Sequence, residues 1–289
     1  MWWASKSTKT HVPILKGLTI TQVRDVGGFD IGVMWQSQFK QASVLLEGTF
    51  DTVSDYELLE LWRTHMAEKS IVGSISTIAQ PICTGMPMYA LITFLTPGMP
   101  KDEAETLVAK EISDCYAPYA VDITWNPLSL LDVAEYSSTI WAPDTENVEF
   151  PPLAEQVQES LTSITCDDVT RIVYDVLEDD AINQEINSLV STGILRDFEE
   201  VYRIEVNRLT TDAFRESEKT ARLFRRSGIL VIETADENSC EQLASEIIGA
   251  LSPKARLRIS RMIGRQHLGV LLAAGIPAYG WQYNEHVAS

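Results

Sequence analysis

Residues 42–66 read ASVLLEGTFDTVSDYELLELWRTHM, and within them the hydrophobic period changes from that of a strand to that of a helix. Val44, Leu45 and Leu46 lead into Thr49 and Phe50 as a β-rich run. Ser54 then stands three residues before Glu57, the spacing of a capping box, and Leu58, Leu59, Trp62 and Met66 follow at helical intervals. That pattern predicts a helix over 55–69. Working outward, 72–82 alternates and is rich in Ile and Ser, and 88–95 is a second β-like run after the turn formers Thr84 and Gly85. Pro100 precedes a helical stripe of Ala104, Leu107, Val108 and Ile112. Its first turn holds Asp102 and Glu103, where the helix dipole favours carboxylates. Residues 121–125 return as a strand. From residue 42 the expected order is therefore strand, helix, strand, strand, helix, strand, the split βαβ or ferredoxin-like unit. Ahead of it, 14–23, 31–35 and 42–50 read as a meander with a turn at Gly27 and Gly28.

The stretch 142–152 combines Pro143, Pro151 and Pro152 with Asp144, Glu146 and Glu149, has little periodicity, and reads as a linker. Beyond it the expected elements are a helix over 153–164 and a helix carrying Ile182, Ile186, Leu189 and Val190; between them, Val169, Ile172, Val173, Val176 and Leu177 suit a helical stripe while the β-branched content of 171–177 favours a strand, which is the expectation taken. Tyr202, Ile204 and Val206 alternate with Arg203 and Glu205 as a half-buried strand does, and a helix over 212–226 follows. Residues 229–232 are wholly apolar, which suits a strand buried on both faces. Asn238 and Glu241 repeat the capping spacing ahead of Leu243, Ile247, Ile248 and Leu251; Ser252 and Pro253 end that helix, and Leu257 with Ile259 begins a last strand. Residues 264–275, small and apolar, read as a helix packed on a sheet, and 279–289 as a loose tail. With one inserted helix, the second half repeats the first. The expected fold is α/β (α+β) with two ferredoxin-like halves: 1–142, a linker at 143–152, and 153–289.

A net charge of −18 over 289 residues opposes broad binding to a polyanion, so direct contact with nucleic acid is not expected. The charge is uneven. Residues 1–200 carry 11 Lys and Arg against 31 Asp and Glu, whereas 201–289 carry 12 against 10. The acidic part suits a basic partner or the basic end of the same chain. The start, Met1 to Lys6, lacks the apolar run of a signal peptide, and no window reaches the ~18 apolar residues of a membrane span. Cys83, Cys115, Cys166 and Cys240 lie far apart without a C-x-x-C pair, which favours buried thiols over disulfides or zinc. A cytoplasmic protein is expected, with a peripheral position at the inner face of a membrane left open.

No motif fixes a chemistry, and no cofactor or metal is implied. The phosphate-binding G-x-x-x-x-G-K-[ST] is absent, so the apolar strand 228–233 ending in Glu233 reads as a buried strand reaching the surface rather than as a magnesium-organising acid. Gly73-Ser74-Ile75-Ser76 places Ile where a nucleophile would stand. His11, His65, His267 and His286 are isolated from one another, and His65 is expected on the flank of its helix. Asp167, Asp168 and the run Glu178, Asp179, Asp180 read as caps and solvated loops. Arg215, Lys219, Arg222 and Arg226 would share one face of the helix expected there. They are candidate partner-binding residues for an acidic protein face, or else a solvated face paired with Glu216 and Glu218. Trp2 and Trp3 suit either an anchor or a fold back onto the first sheet.

The run from Phe224 through Arg225, Arg226, Ser227 and Gly228 to Ala235, then Ala255 to Ile259, Gly264-Arg265-Gln266 and Leu272 to Pro277, resembles actinobacterial conjugation and secretion proteins. It is similar to the non-motor N-terminal region of VirB-type transfer ATPases and, more loosely, to the EccE component of type VII secretion. The likeness covers about a third of the chain and rests on packing motifs. It implies a non-catalytic scaffold or adaptor that docks by protein contact onto a membrane-bound transfer or secretion ATPase, and it supplies no catalytic residue. Those ATPases continue into a motor with a phosphate loop and carry membrane segments, and this sequence shows neither. Two other readings stay open: a metal-dependent hydrolase whose site forms only in three dimensions, and a phage or mobile-element assembly protein.

Overall fold

The computed structural model describes residues 7–8, 15–49, 53–69, 71–79, 87–144, 146, 148–177, 185, 201–209 and 224–278. After the two-residue β1 (Ser7–Thr8), the meander forms as β2 (Leu18–Arg24), β3 (Asp30–Gln36) and β4 (Gln41–Thr49). Gly28, at φ +88°, makes the turn between β2 and β3 that an L side chain would strain. Then come α1 (Val53–Glu68), β5 (Val72–Ala79), β6 (Pro87–Leu95), α2 (Lys101–Glu111) and α3 (Ser113–Tyr116). The strand expected over 121–125 is reduced to β7 (Asn126–Pro127). Trp125 instead turns its backbone N–H onto the Tyr116 carbonyl at 2.7 Å and stacks on Trp62 with ring centres 4.9 Å apart. Pro127, lacking an N–H, cannot prolong the ladder.

A helix the sequence reading lacked, α4 (Leu130–Trp141), follows, opened by a capping box between Ser129 and Asp132. In place of the helix expected over 153–164 stand two short strands, β8 (Val157–Glu159) and β9 (Ile164–Cys166), which pair as a hairpin. β10 (Val169–Leu177), β11 (Val201–Leu209) and β12 (Phe224–Thr234) confirm three expected strands. α5 (Glu237–Ala250) is capped by Asp236, which accepts from Ser239 N at 3.0 Å, so the cap lies two residues before the expected Asn238. The chain closes with α6 (Pro253–Arg256), β13 (Ile259–Arg261) and α7 (Gln266–Ala273). The helix expected around Ile182 to Val190, most of that expected over 212–226, and the tail over 279–289 lie outside the described residues.

The fold is mixed α/β on one antiparallel sheet, ordered β1-β8-β9-β10-β12-β11-β5-β6-β4-β3-β2, with β13 also on β10 and β7 also on β4. The order reads alike outward in both directions from the β11–β5 junction. On one side lie β5, β6, β4 with β7, then β3 and β2; on the other lie β11, β12, β10 with β13, then β9 and β8. Details follow the same correspondence. Leu128 N donates to Leu45 O at 3.0 Å where β7 meets β4, and Met262 N donates to Val173 O at 2.9 Å where β13 meets β10. β4 and β10 are both nine residues long with the same burial sequence.

Alternation along each strand splits the core into layers. Leu45, Leu91, Val173, Ile229 and Val231 face α4 and α7 in one cluster shared by both halves. Val44, Leu46 and Ile92 face α1, α2 and α3 on the other side of the sheet, while Ile172, Leu230 and Ile232 face α5 and α6. β1 and β2 sit at opposite ends of the strand order yet are ten residues apart, a reach of at most ~36 Å. Eleven strands laid flat would span about 48 Å. The sheet therefore curls, wrapping its shared face around α4 and α7, and Leu15 and Leu18 join Val157, Ile164 and Cys166 in that cluster.

Candidate functional site

Polar chemistry concentrates on the shared face of the second half, where the first turn of α7 meets the sheet. Gln266, fully buried, straddles the edge of β10. Its Oε1 accepts from Val173 N at 2.6 Å, and its Nε2 donates to Met262 O at 2.7 Å and Val173 O at 3.3 Å. On one side Arg265 donates to Asp175 Oδ2 at 3.1 Å. On the other, His267 Nδ1 lies 2.8 and 3.0 Å from the two oxygens of Glu159, whose Oε1 also accepts from His267 N at 3.2 Å. A carboxylate on a helix N-terminal amide is favoured by the macrodipole.

Register puts Glu159 of β8 opposite Ile164 of β9, Ile164 opposite Arg171 of β10, and Arg171 opposite Glu233 of β12. The four side chains thus share one face in a row. Arg171 Nε donates to the Glu233 carboxylate, with the two side chains only 1% and 6% exposed. Glu233 is therefore a buried ion-pair partner and not the surface end of its strand. The corresponding positions in the first half, Ser43 and Thr93, are also directly opposed and share a hydroxyl hydrogen bond of 2.7 Å. Burial pushes the neighbouring Cys166 thiol up to about 12, against the opposing pull of Arg171. Burial likewise raises Asp175 to about 6, with Arg265 pulling the other way. These groups hold strands and helix in register, with Arg171 Nη1 and Asp175 Oδ1 buried and without a hydrogen-bond partner among the described residues.

Of the partner-binding candidates, Arg215, Lys219 and Arg222 lie outside the described residues. Arg226 lies in β12 opposite Asn207 of β11, so the expected helix does not extend to it. Strand pairing already begins at Phe224, which meets Leu209. His65 sits on the α1 flank with Nε2 3.8 Å from Asp114, which also pairs with Lys69. Asp167 makes the β9–β10 turn at φ +52° and accepts from Gln156 N at 2.9 Å. Cys115, Cys166 and Cys240 are free and buried; Cys83, His11, His286, Trp2 and Trp3, with Glu178, Asp179 and Asp180, lie outside the described residues. Among the described residues no group of three or more His, Cys, Asp or Glu is placed to hold a metal ion, and no helix is long and apolar enough to cross a membrane.

Sequence reasoning missed the α7 clamp and the Arg171–Glu233 pair. A single signal was available: charged residues at inward positions of otherwise apolar strands, Arg171 two before Val173 and Glu233 two after Val231.

No family model matches the chain, and no curated protein does. Among solved structures, the chain is similar to a variant of BBE-like 1 from Physcomitrella patens at 12% identity, over 90% of this chain, with a TM-score of 0.36. It spans 62% of that protein's length. An anthrone oxidase-like protein is similar at 13% identity over 80% of this chain and 84% of its own, with a TM-score of 0.23. At these TM-scores neither neighbour assigns a fold or an activity to this chain.

Proposed function

We propose that the chain is a non-catalytic structural or adaptor component of a secretion or conjugative DNA-transfer machine, built of two ferredoxin-like units and acting by protein docking. The observation that carries this reading is the mirrored strand order about the β5–β11 junction, with its paired hydrogen bonds at Leu45 and Val173. Two units joined edge to edge make one continuous curled sheet whose outer helices and edges are free to serve as docking surfaces. The ion pairs of its shared face are spent on holding that sheet together. The resemblance of the C-terminal third to transfer ATPases supplies the direction, and a membrane-bound ATPase of that kind is the proposed partner.

The basic residues Arg215, Lys219, Arg222 and Arg226 supply the electrostatic part of the contact, against an acidic face of the partner. Reversing Arg222 and Arg226 to Glu is expected to reduce partner capture at low salt, and the difference from wild type should shrink as salt rises. Unchanged capture by a folded variant would refute the assignment of those residues.

A further inference from the structure

β2 is the outermost strand on its side of the sheet, and among the described residues nothing pairs with its outer edge. The corresponding edge in the other half, that of β8, is covered by β1 through Ser7 opposite Glu159 and Thr8 opposite Gln158. Among the described residues, one of two equivalent edges is sealed by the chain itself and the other is open. Open edges are usually blunted by shortness, proline, bulges or central charge. β2 has none of these: it runs seven residues, Leu-Thr-Ile-Thr-Gln-Val-Arg, in unbroken register with β3, and its one charge, Arg24, stands at its end.

We propose that this edge is a dimer interface, on which β2 of a second copy pairs antiparallel about a two-fold axis at Thr21. The strand is self-complementary in that register. Thr21 meets Thr21, Thr19 meets Val23, Ile20 meets Gln22, and Leu18 meets Arg24, so β-branched residues oppose one another in the Thr21–Thr21 and Thr19–Val23 pairs and no like charges are opposed anywhere. The pairs also respect the faces. Leu18 and Ile20 belong to the layer around α4 and α7, whereas Val23 packs into the layer under α2, so the pairing keeps each residue on its own face, with the Leu18 and Ile20 side chains capped by the stems of Arg24 and Gln22 of the second copy. Thr21 is half-buried and Thr19 and Gln22 are exposed, leaving their side chains accessible to a second copy. An isologous contact of this kind closes on itself, which limits assembly to two copies. With −18 on each copy, the general field opposes association, so added salt strengthens the dimer. Docking through the basic residues has the opposite salt dependence, and the two readings fail independently.

The test is sedimentation velocity of the full chain across a wide concentration range, for wild type, Thr21→Lys, Thr21→Glu and an equimolar mixture of the two variants. The axis places residue 21 against itself. Each variant alone then weakens the dimer by roughly fivefold or more through like charges directly opposed, and the mixture restores it as a heterodimer. Hydrogen exchange on wild type provides a readout free of folding effects: protection over 19–23 rises with protein concentration. A wild type that stays monomeric, variants that dimerise as wild type does, or a mixture that fails to recover would each overturn the proposal.

Discussion

Removing one partner of the Arg171–Glu233 pair is expected to be among the most damaging single changes in the molecule. Both side chains are almost fully removed from water, and they face each other across neighbouring central strands. Glu233→Leu strands a guanidinium in the layer around α4 and α7, where Val173 and Val231 form the next inward pair along the same two strands. Breaking a buried pair in this way costs about 3–5 kcal/mol. With a urea m-value of ~3 kcal/mol/M, the midpoint falls by about 1–1.7 M. Replacing both partners with apolar side chains of similar length, Arg171→Met with Glu233→Leu, leaves no uncompensated charge and is expected to return stability to within about 1 kcal/mol of wild type or above it. Equilibrium urea unfolding followed by circular dichroism measures all three proteins. A loss under about 1 kcal/mol for Glu233→Leu, or a double variant no more stable than the single one, would refute the claim that the pair is desolvated and mutually compensating.

Other consequences follow from the same face and its neighbours. Asp175 titrates near 6 in the folded chain, above its unfolded value of 3.8, so the native state binds the extra proton between those values and this group's contribution to stability falls as pH rises from about 4 to 6. Asp175→Asn should therefore gain on wild type over that interval, by on the order of 1 kcal/mol after discounting for partial exposure, in urea midpoints taken at pH 4.5 and 7; a constant difference would contradict it. Burial raises Cys115 and Cys166 to about 12 and Cys240 to about 11, so in a Cys83→Ser background thiol reagents should label the native protein only at the rate of unfolding. Rapid stoichiometric labelling would show at least one of these sites to be open. Gly269→Ala drives a new methyl into the Val173 side chain and is expected to cost roughly 1–3 kcal/mol in thermal or urea unfolding. An unchanged midpoint would mean α7 is not seated as close to β10 as described.

Strands rich in apolar and β-branched residues were legible from the sequence in β4 and β6, and helix α2 announced itself through Pro100 and its acidic first turn. β10 was open to a helical stripe as well as to a strand, because burial on both faces leaves a continuous apolar run with no alternation to decide the period. The losses have physical causes. β8 was hidden because Glu159, a charged residue, points inward to His267, which breaks the alternation that marks a buried strand. α4 is buried along Val133, Ala134, Ser137, Ser138, Ile140 and Trp141, so its apolar surface is too wide to show as a single stripe. The strand expected over 121–125 gives way to the two-residue β7 because Trp125 is diverted to pack on Trp62. Pairings between residues sixty or more apart, such as Arg171 with Glu233 and Gln266 with Val173, depend on strand order, which no local pattern encodes.

The most direct test of the docking role is affinity capture of the tagged wild-type chain from gently solubilised cells of its own host, with the bound proteins identified and quantified by mass spectrometry. The account predicts recovery of a membrane-bound transfer or secretion ATPase in stoichiometric amount. Recovery of the chain with no such partner would contradict it.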